Sequence, residues 1–93
     1  MQKLEPQSYG LSNRTNLVRI DNSIGIVIDR KSRIIMKDGH RILKQAHAIQ
    51  VKENKPVVLI TSAPVCSKTK QYLSANNILI NSLNINLIIN NLI

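Results

Sequence analysis

Apolar positions along the chain change their spacing from segment to segment, and the spacing predicts the elements. Val18, Ile20, Ile26 and Ile28 recur at every second position on two arms, the period-2 signature of half-buried strands. This predicts a first strand from Arg14 to Ile20 and a second from Gly25 to about Met36, paired as a hairpin. Ile34 and Ile35 are adjacent rather than alternating, which suits a strand covered on both faces or a break into a third short strand. From Asp38 to about Glu53 the spacing becomes helical, with Ile42, Ala46 and Ile49 on one stripe supported by Leu43. Asp38 reads as the helix start, and Pro56 stands just beyond its end. The run PVVLITSAP is continuously apolar between prolines, the pattern of a central strand buried on both sides. A second helix is expected from Ser67 to about Ala75, stopped by Asn76 and Asn77, and a last short strand at Ile78, Leu79 and Ile80.

The order strand, strand, helix, strand, helix, strand predicts an α/β or α+β fold: a small mixed sheet with an N-terminal β-hairpin and two flanking helices. Ninety-three residues make a single domain. Within it, residues 1–13 read as a loose arm or one short helical turn, residues 14–80 as the core, and residues 81–93 as an uncharged tail of Asn and Ile.

The hairpin register decides whether its polar residues converge. A slip of one residue moves every side chain of a strand to the other face. A three-residue turn of Ser23, Ile24 and Gly25 would end in the glycine that such loops favour, and would bring Asp21 diagonal to Asp29 with Lys31 on the same face. Two carboxylates sharing a divalent cation beside a lysine would make a nuclease site of Asp21, Asp29 and Lys31. The same register also supports a plain reading, in which Arg19, Asp21, Asp29, Lys31 and Arg33 form one solvated face and Arg19 meets Asp29 as a surface ion pair.

Charge sharpens the choice. Thirteen Lys and Arg against five Asp and Glu leave a net charge of +8, with no charged residue after Lys70, so the excess lies inside the folded part. A balance this basic suits a phosphate backbone or an acidic protein partner. With no Phe or Trp the core must be built from Ile, Leu and Val. One cysteine excludes an internal disulfide and a cysteine-rich zinc site. No apolar run approaches the ~18 residues that span a bilayer, and no signal-peptide core is evident at the N-terminus.

The run VIDRKS, a helix with Gln45 fourteen residues after Lys31, then PVVLITS and the serine-started SKTKQYL, resembles the PD-(D/E)xK nuclease superfamily over roughly residues 17–80. The style is that of the restriction-endonuclease-like domains at the C-termini of bacterial polymorphic and contact-dependent toxins. The resemblance implies that Asp29-Arg30-Lys31 is the D/E-x-K strand, that Asp21 is the acid on the neighbouring strand, and that Gln45 faces the site. It implies a metal-dependent endonuclease acting on RNA, such as tRNA, or DNA. Asp21, Asp29 and the Arg30 carbonyl would then supply oxygen ligands to Mg²⁺ or Mn²⁺, with Lys31 on the nucleophilic water or a phosphate oxygen. Arg19, Arg33, Arg41 and Lys44 would position the nucleic acid through its backbone. A toxin of this kind would be secreted as the end of a larger protein, act in the cytoplasm of a target cell, and be held by an acidic immunity protein.

Other constellations carry less. Cys66 after Pro64 and before a helix has the look of a monothiol redox site, but too few residues follow it for that fold. His40 and His47, two helical turns apart, lie too far apart for one metal, though either could serve with Lys31 or Lys37 in metal-free RNA cleavage. The rival from another class is a non-catalytic basic module that binds nucleic acid or an acidic protein, without exposed aromatics for base stacking. The Asn/Ile stretch over residues 78–93 suggests self-association as a homodimer.

Overall fold

The computed structural model describes residues 2–83. A mixed five-stranded sheet carries two helices: strand β1 is Gln2–Leu4, β2 Asn16–Ile20, β3 Ser23–Ile28, β4 Val57–Thr61 and β5 Leu79–Ser82, with helix α1 at Met36–Lys52 and α2 at Ser67–Ala75. The strands lie in sequence order, β1-β2-β3-β4-β5. The first three pair antiparallel, and β3, β4 and β5 run parallel, joined by the α1 and α2 crossovers. This is the α/β class read from the sequence, with one strand more than expected. Gln2–Leu4 pairs with β2 (Leu4 opposite Leu17), and Pro6–Tyr9 adds a 3-10 turn, so the N-terminal stretch is an edge strand rather than a loose arm.

The core lies between the sheet and the helices. Leu17, Ile24, Ile26, Val57 and Leu59 meet Ile42, Ala46 and Ile49 of α1 and Leu73 of α2 in one buried cluster. Full burial of each large aliphatic side chain contributes about 1.5–3 kcal/mol, which is how a chain without Phe or Trp holds together. All five residues of β4 are buried, as its uninterrupted apolar run foretells. On the reverse face Ile60 lies over Gly25, where an added Cβ would sit 2.6 Å from its terminal methyl and 3.1 Å from Val18. Gly25 is thus spent on close packing across the sheet.

That use of Gly25 goes with a hairpin register other than the expected one. Ile20 pairs with Ser23 and Val18 with Gly25, so the turn is Asp21-Asn22, two residues rather than three. Asp21 takes the positive φ of 52°, a conformation Asp and Asn tolerate better than most residues. Ile24, which a Ser23-Ile24-Gly25 turn would have left at the loop tip, is fully buried. Strand β3 stops at Ile28, well short of Met36, and within the following loop Ile34 forms an isolated parallel bridge with Val65 of the β4–α2 loop. Helix α1 starts two residues before Asp38, whose carboxylate at the third helical position accepts the Ile35 amide. Helix α2 spans the expected residues, with Cys66 rather than Ser67 at its cap. The tail expected to self-associate lies outside the described residues from Asn84 onward.

Candidate functional site

Strands β3 and β4 end side by side, and the polar groups beyond them are held by a short hydrogen-bond network. The Thr61 hydroxyl donates to the Ile28 carbonyl at 2.7 Å. The Ser62 hydroxyl donates to Asp29 Oδ1 at 2.6 Å and accepts the Arg30 amide at 3.2 Å. Asp29 remains exposed, but its carboxylate is fixed by Ser62 at the carboxyl end of the parallel β3–β4 pair.

Arg30 holds the next loop. Its guanidinium donates to the carbonyls of Ser32 and Arg33 and to Asp38 Oδ2 at 2.5 Å. Asp38, only 8 % exposed, also accepts Arg41 at 3.0 Å through Oδ1 and the Ile35 amide through Oδ2. The Arg30 hydrogen bond, outweighing the opposing effect of burial and joined by the Ile35 amide and both guanidinium charges, keeps the Asp38 carboxyl below its ordinary pKa. Lys31 and Arg33 are left exposed on a loop that Arg30 braces from within.

Beside this rim, between the start of β2 and the first turns of α1, lies a recess of about 320 Å³. Ile26, Val27 and Ile28 line it together with Ser12, Arg14, Thr15, Asn16, Arg41 and Gln45. Asn16 pairs with Val27, so Arg14 and Asp29 each lie two residues beyond that pair on neighbouring chain segments. A larger hollow of about 500 Å³ lies between α2 and the ends of β4 and β5, with Lys70 as its cation and no carboxylate among its described walls.

The structure separates residues that the sequence grouped. Asp21, expected as a metal ligand and catalytic acid, sits in the turn at the opposite end of β3. Six residues of strand at ~3.3 Å each place it roughly 20 Å from Asp29. The cause is the two-residue turn. Arg19 is likewise displaced from the expected backbone-binding set: its guanidinium contacts both Glu53 carboxylate oxygens, at 3.0 and 3.1 Å, near the far end of α1. Glu53 also accepts the Tyr9 hydroxyl, and those two hydrogen bonds lower its pKa while burial and the carboxylate raise that of Tyr9. Arg33 and Lys44 are exposed, Arg41 and Gln45 enter the recess, and Asp29 and Lys31 stay at the rim. His40 packs edge-on against Tyr72, with Nδ1 3.2 Å from the phenol oxygen.

Among the described residues no group of three or more His, Cys, Asp or Glu side chains is arranged to hold a metal. The oxygens at the rim are nonetheless of the right kind for a hard cation. Ser62 Oγ lies 2.6 Å from Asp29 Oδ1 and 3.4 Å from the Arg30 carbonyl. Magnesium commonly needs only one or two carboxylates, completed by waters and substrate phosphate. No protein-family model, curated protein or solved structure matches the chain. Two contributors escaped the sequence reading, Ser62 and Arg14. Ser62 is thirty-three residues from Asp29 and Arg14 twenty-seven from Arg41, separations that local pattern does not bridge.

Proposed function

We propose that this protein is a metal-dependent nuclease that engages nucleic acid, RNA or DNA, along the carboxyl ends of β3 and β4. The observation that carries the reading is Asp29, an exposed carboxylate locked by Ser62 and followed within two residues by exposed Lys31. Exposed Arg33, Lys37, Arg41 and Lys44 follow Lys31 along the loop and the first half of α1, and Arg14 lines the neighbouring recess with Arg41, cations suited to phosphate contacts that fix position without reading bases. Asp29, with the Ser62 hydroxyl and Arg30 carbonyl, would hold Mg²⁺ or Mn²⁺. That ion, when bound, lowers the pKa of a coordinated water and offsets phosphate charge. Ser62 orients the carboxylate, Arg30 keeps the loop in place through Asp38, and Lys31 offers an ammonium group to a phosphate oxygen.

A second reading is favoured by the displacement of Asp21, which leaves Asp29 as the one exposed carboxylate of the rim among the described residues. Without a partner acid the same surface would serve as a non-catalytic module for nucleic acid. Incubation with tRNA, single-stranded DNA and duplex DNA, with Mg²⁺ and with EDTA, separates the two. Cleavage that needs the metal and is lost in both Asp29→Ala and Lys31→Ala supports the nuclease. Retention of a strand without cleavage supports the module. Cleavage indifferent to EDTA and to both substitutions excludes the Asp29 site.

The toxin context, with secretion, delivery and an acidic immunity protein, remains part of the same proposal. The basic rim is the surface such an inhibitor would cover. Among the described residues no helix is long and apolar enough to cross a membrane.

A further inference from the structure

We infer that the recess between α1 and the start of β2 is a subsite for one phosphate-bearing nucleotide unit, with Arg14 and Arg41 as its anion ligands. The ligand class rests on the nucleic-acid reading above, whereas the anion site itself requires no cleavage. Three properties of the recess point to this occupant. It is lined by two arginines and by the neutral hydrogen-bonding side chains of Ser12, Asn16 and Gln45, with no carboxylate among its described walls. Apolar side chains, among them Ile28, line its wall and suit a sugar or base edge rather than a second charge. Its volume of about 320 Å³ lies at the small end of small-molecule sites, enough for one unit rather than a folded strand.

Arg41 also has a neighbour that orients it weakly. Its Nη2 donates to Asp38 Oδ1 at 3.0 Å, while Asp38 is itself fixed by Arg30 and the Ile35 amide. The guanidinium stands at the recess wall with its other N–H groups unused among the described residues. A guanidinium fork binds a phosphate through two parallel hydrogen bonds. Gln45, one helical turn on, can hydrogen-bond a sugar hydroxyl or phosphate oxygen. Arg14 approaches from the opposite wall and has no side-chain partner among the described residues.

The test uses the full chain in EDTA, with a 5′-phosphorylated trinucleotide, its 3′-phosphorylated isomer and its dephosphorylated form as probes. Binding is followed by NMR shifts of the Asn16 and Gln45 side-chain amides. Arg14→Gln should weaken the better phosphorylated probe about tenfold and lower the salt slope of binding by about one. The double variant with Arg41→Gln should abolish the side-chain amide shifts. A control pair, Lys52→Gln with Lys68→Gln, removes the same charge from elsewhere on the surface.

Preference for a 5′- or 3′-phosphate shows which strand end the recess accepts. Equal binding of all three probes, still sensitive to Arg14, assigns it an internal phosphate. If the control pair weakens binding as much as the arginine pair, or if Arg14→Gln alone changes nothing, the subsite is refuted and diffuse attraction replaces it. Loss of cleavage in Asp29→Ala together with unaltered binding in Arg14→Gln would overturn the recess while leaving the nuclease reading intact. Recess binding without any cleavage would do the reverse.

Discussion

Replacing Asp38 with alanine removes a nearly buried carboxylate that joins the β3–α1 loop to the first turn of α1. Its hydrogen bond from the Ile35 amide corresponds to a helix cap, worth about 1 kcal/mol. The charged bond from Arg30, whose side chain is 30 % exposed, contributes about 1.5 kcal/mol. The Arg41 pair, exposed and three residues apart on one helix, adds at most about 0.3 kcal/mol. Arg30 regains water once released, which returns part of the loss, so the net cost should be about 2 kcal/mol. For a domain of this size that lowers Tm by about 8–16 °C, a change readable by far-ultraviolet circular dichroism. Asp38→Asn keeps an oxygen for the Ile35 amide and should cost about half as much. The pH dependence fixes the sign. Arg30 above all lowers the folded-state pKa, so the stabilisation is present above the ordinary carboxylate value of 3.8 and is lost as pH falls through the lowered one. The gap between wild type and Asp38→Asn should therefore close at the acid end. A Tm change under about 2 °C at neutral pH, or a gap that persists unchanged in strong acid, would refute the assignment of Asp38 as the tie between loop and helix.

Asp21→Gly should leave any cleavage unchanged and hold or raise Tm, because glycine accepts the positive φ of the turn and the residue lies far from Asp29; loss of activity would restore it to the site. Tyr9 should ionise above its ordinary value of 10.0, seen as a late rise in phenolate absorbance assigned with Tyr72→Phe as reference. Glu53→Gln should move that rise part of the way back, since burial persists when the carboxylate charge is removed. Because the folded-state pKa of Tyr9 is raised, its contribution to stability is intact below about pH 10 and declines as pH rises through the shifted value. Thr69→Val should slow alkylation of Cys66 near neutral pH: the Thr69 hydroxyl, 3.2 Å from Sγ, is the leading cause of the lowered thiol pKa, ahead of the backbone amides and Arg33. Unchanged alkylation would remove Thr69 from that role.

The elements whose burial is one-sided or complete were legible in the chain. The stripe Ile42, Ala46 and Ile49 marked α1, and the unbroken run before Thr61 marked β4, because burial alone dictates both patterns. The hairpin turn was not legible because a glycine suits a turn and a close packing contact equally well. In the fold Gly25 answers a packing demand from Ile60, thirty-five residues away and invisible to local pattern. A signal was available: Ile24 at a loop tip would expose a large aliphatic side chain, whereas Asp21-Asn22 would not. The site was legible in the same uneven way. Asp29, Lys31, Arg41 and Gln45, read from residues near one another in sequence, lie at the rim or line the recess beside it. Ser62 and Arg14 join them only through strand pairing, and Asp21 and Arg19 leave for the same reason. Strand β1, three residues at an edge, had too few positions to show a period.

Acidic side chains are scarce in this molecule, five in all, and two of them are committed as anchors near opposite ends of α1. Acid unfolding of most proteins draws on many carboxylates that titrate together. Here the supply is small, and the carboxyls of Asp38 and Glu53 are held below their ordinary pKa by their hydrogen-bond partners. The protein should tolerate mild acidity with little loss and then give way over a narrow interval, once the last two anchors are neutralised and the cations they restrain are set free to repel.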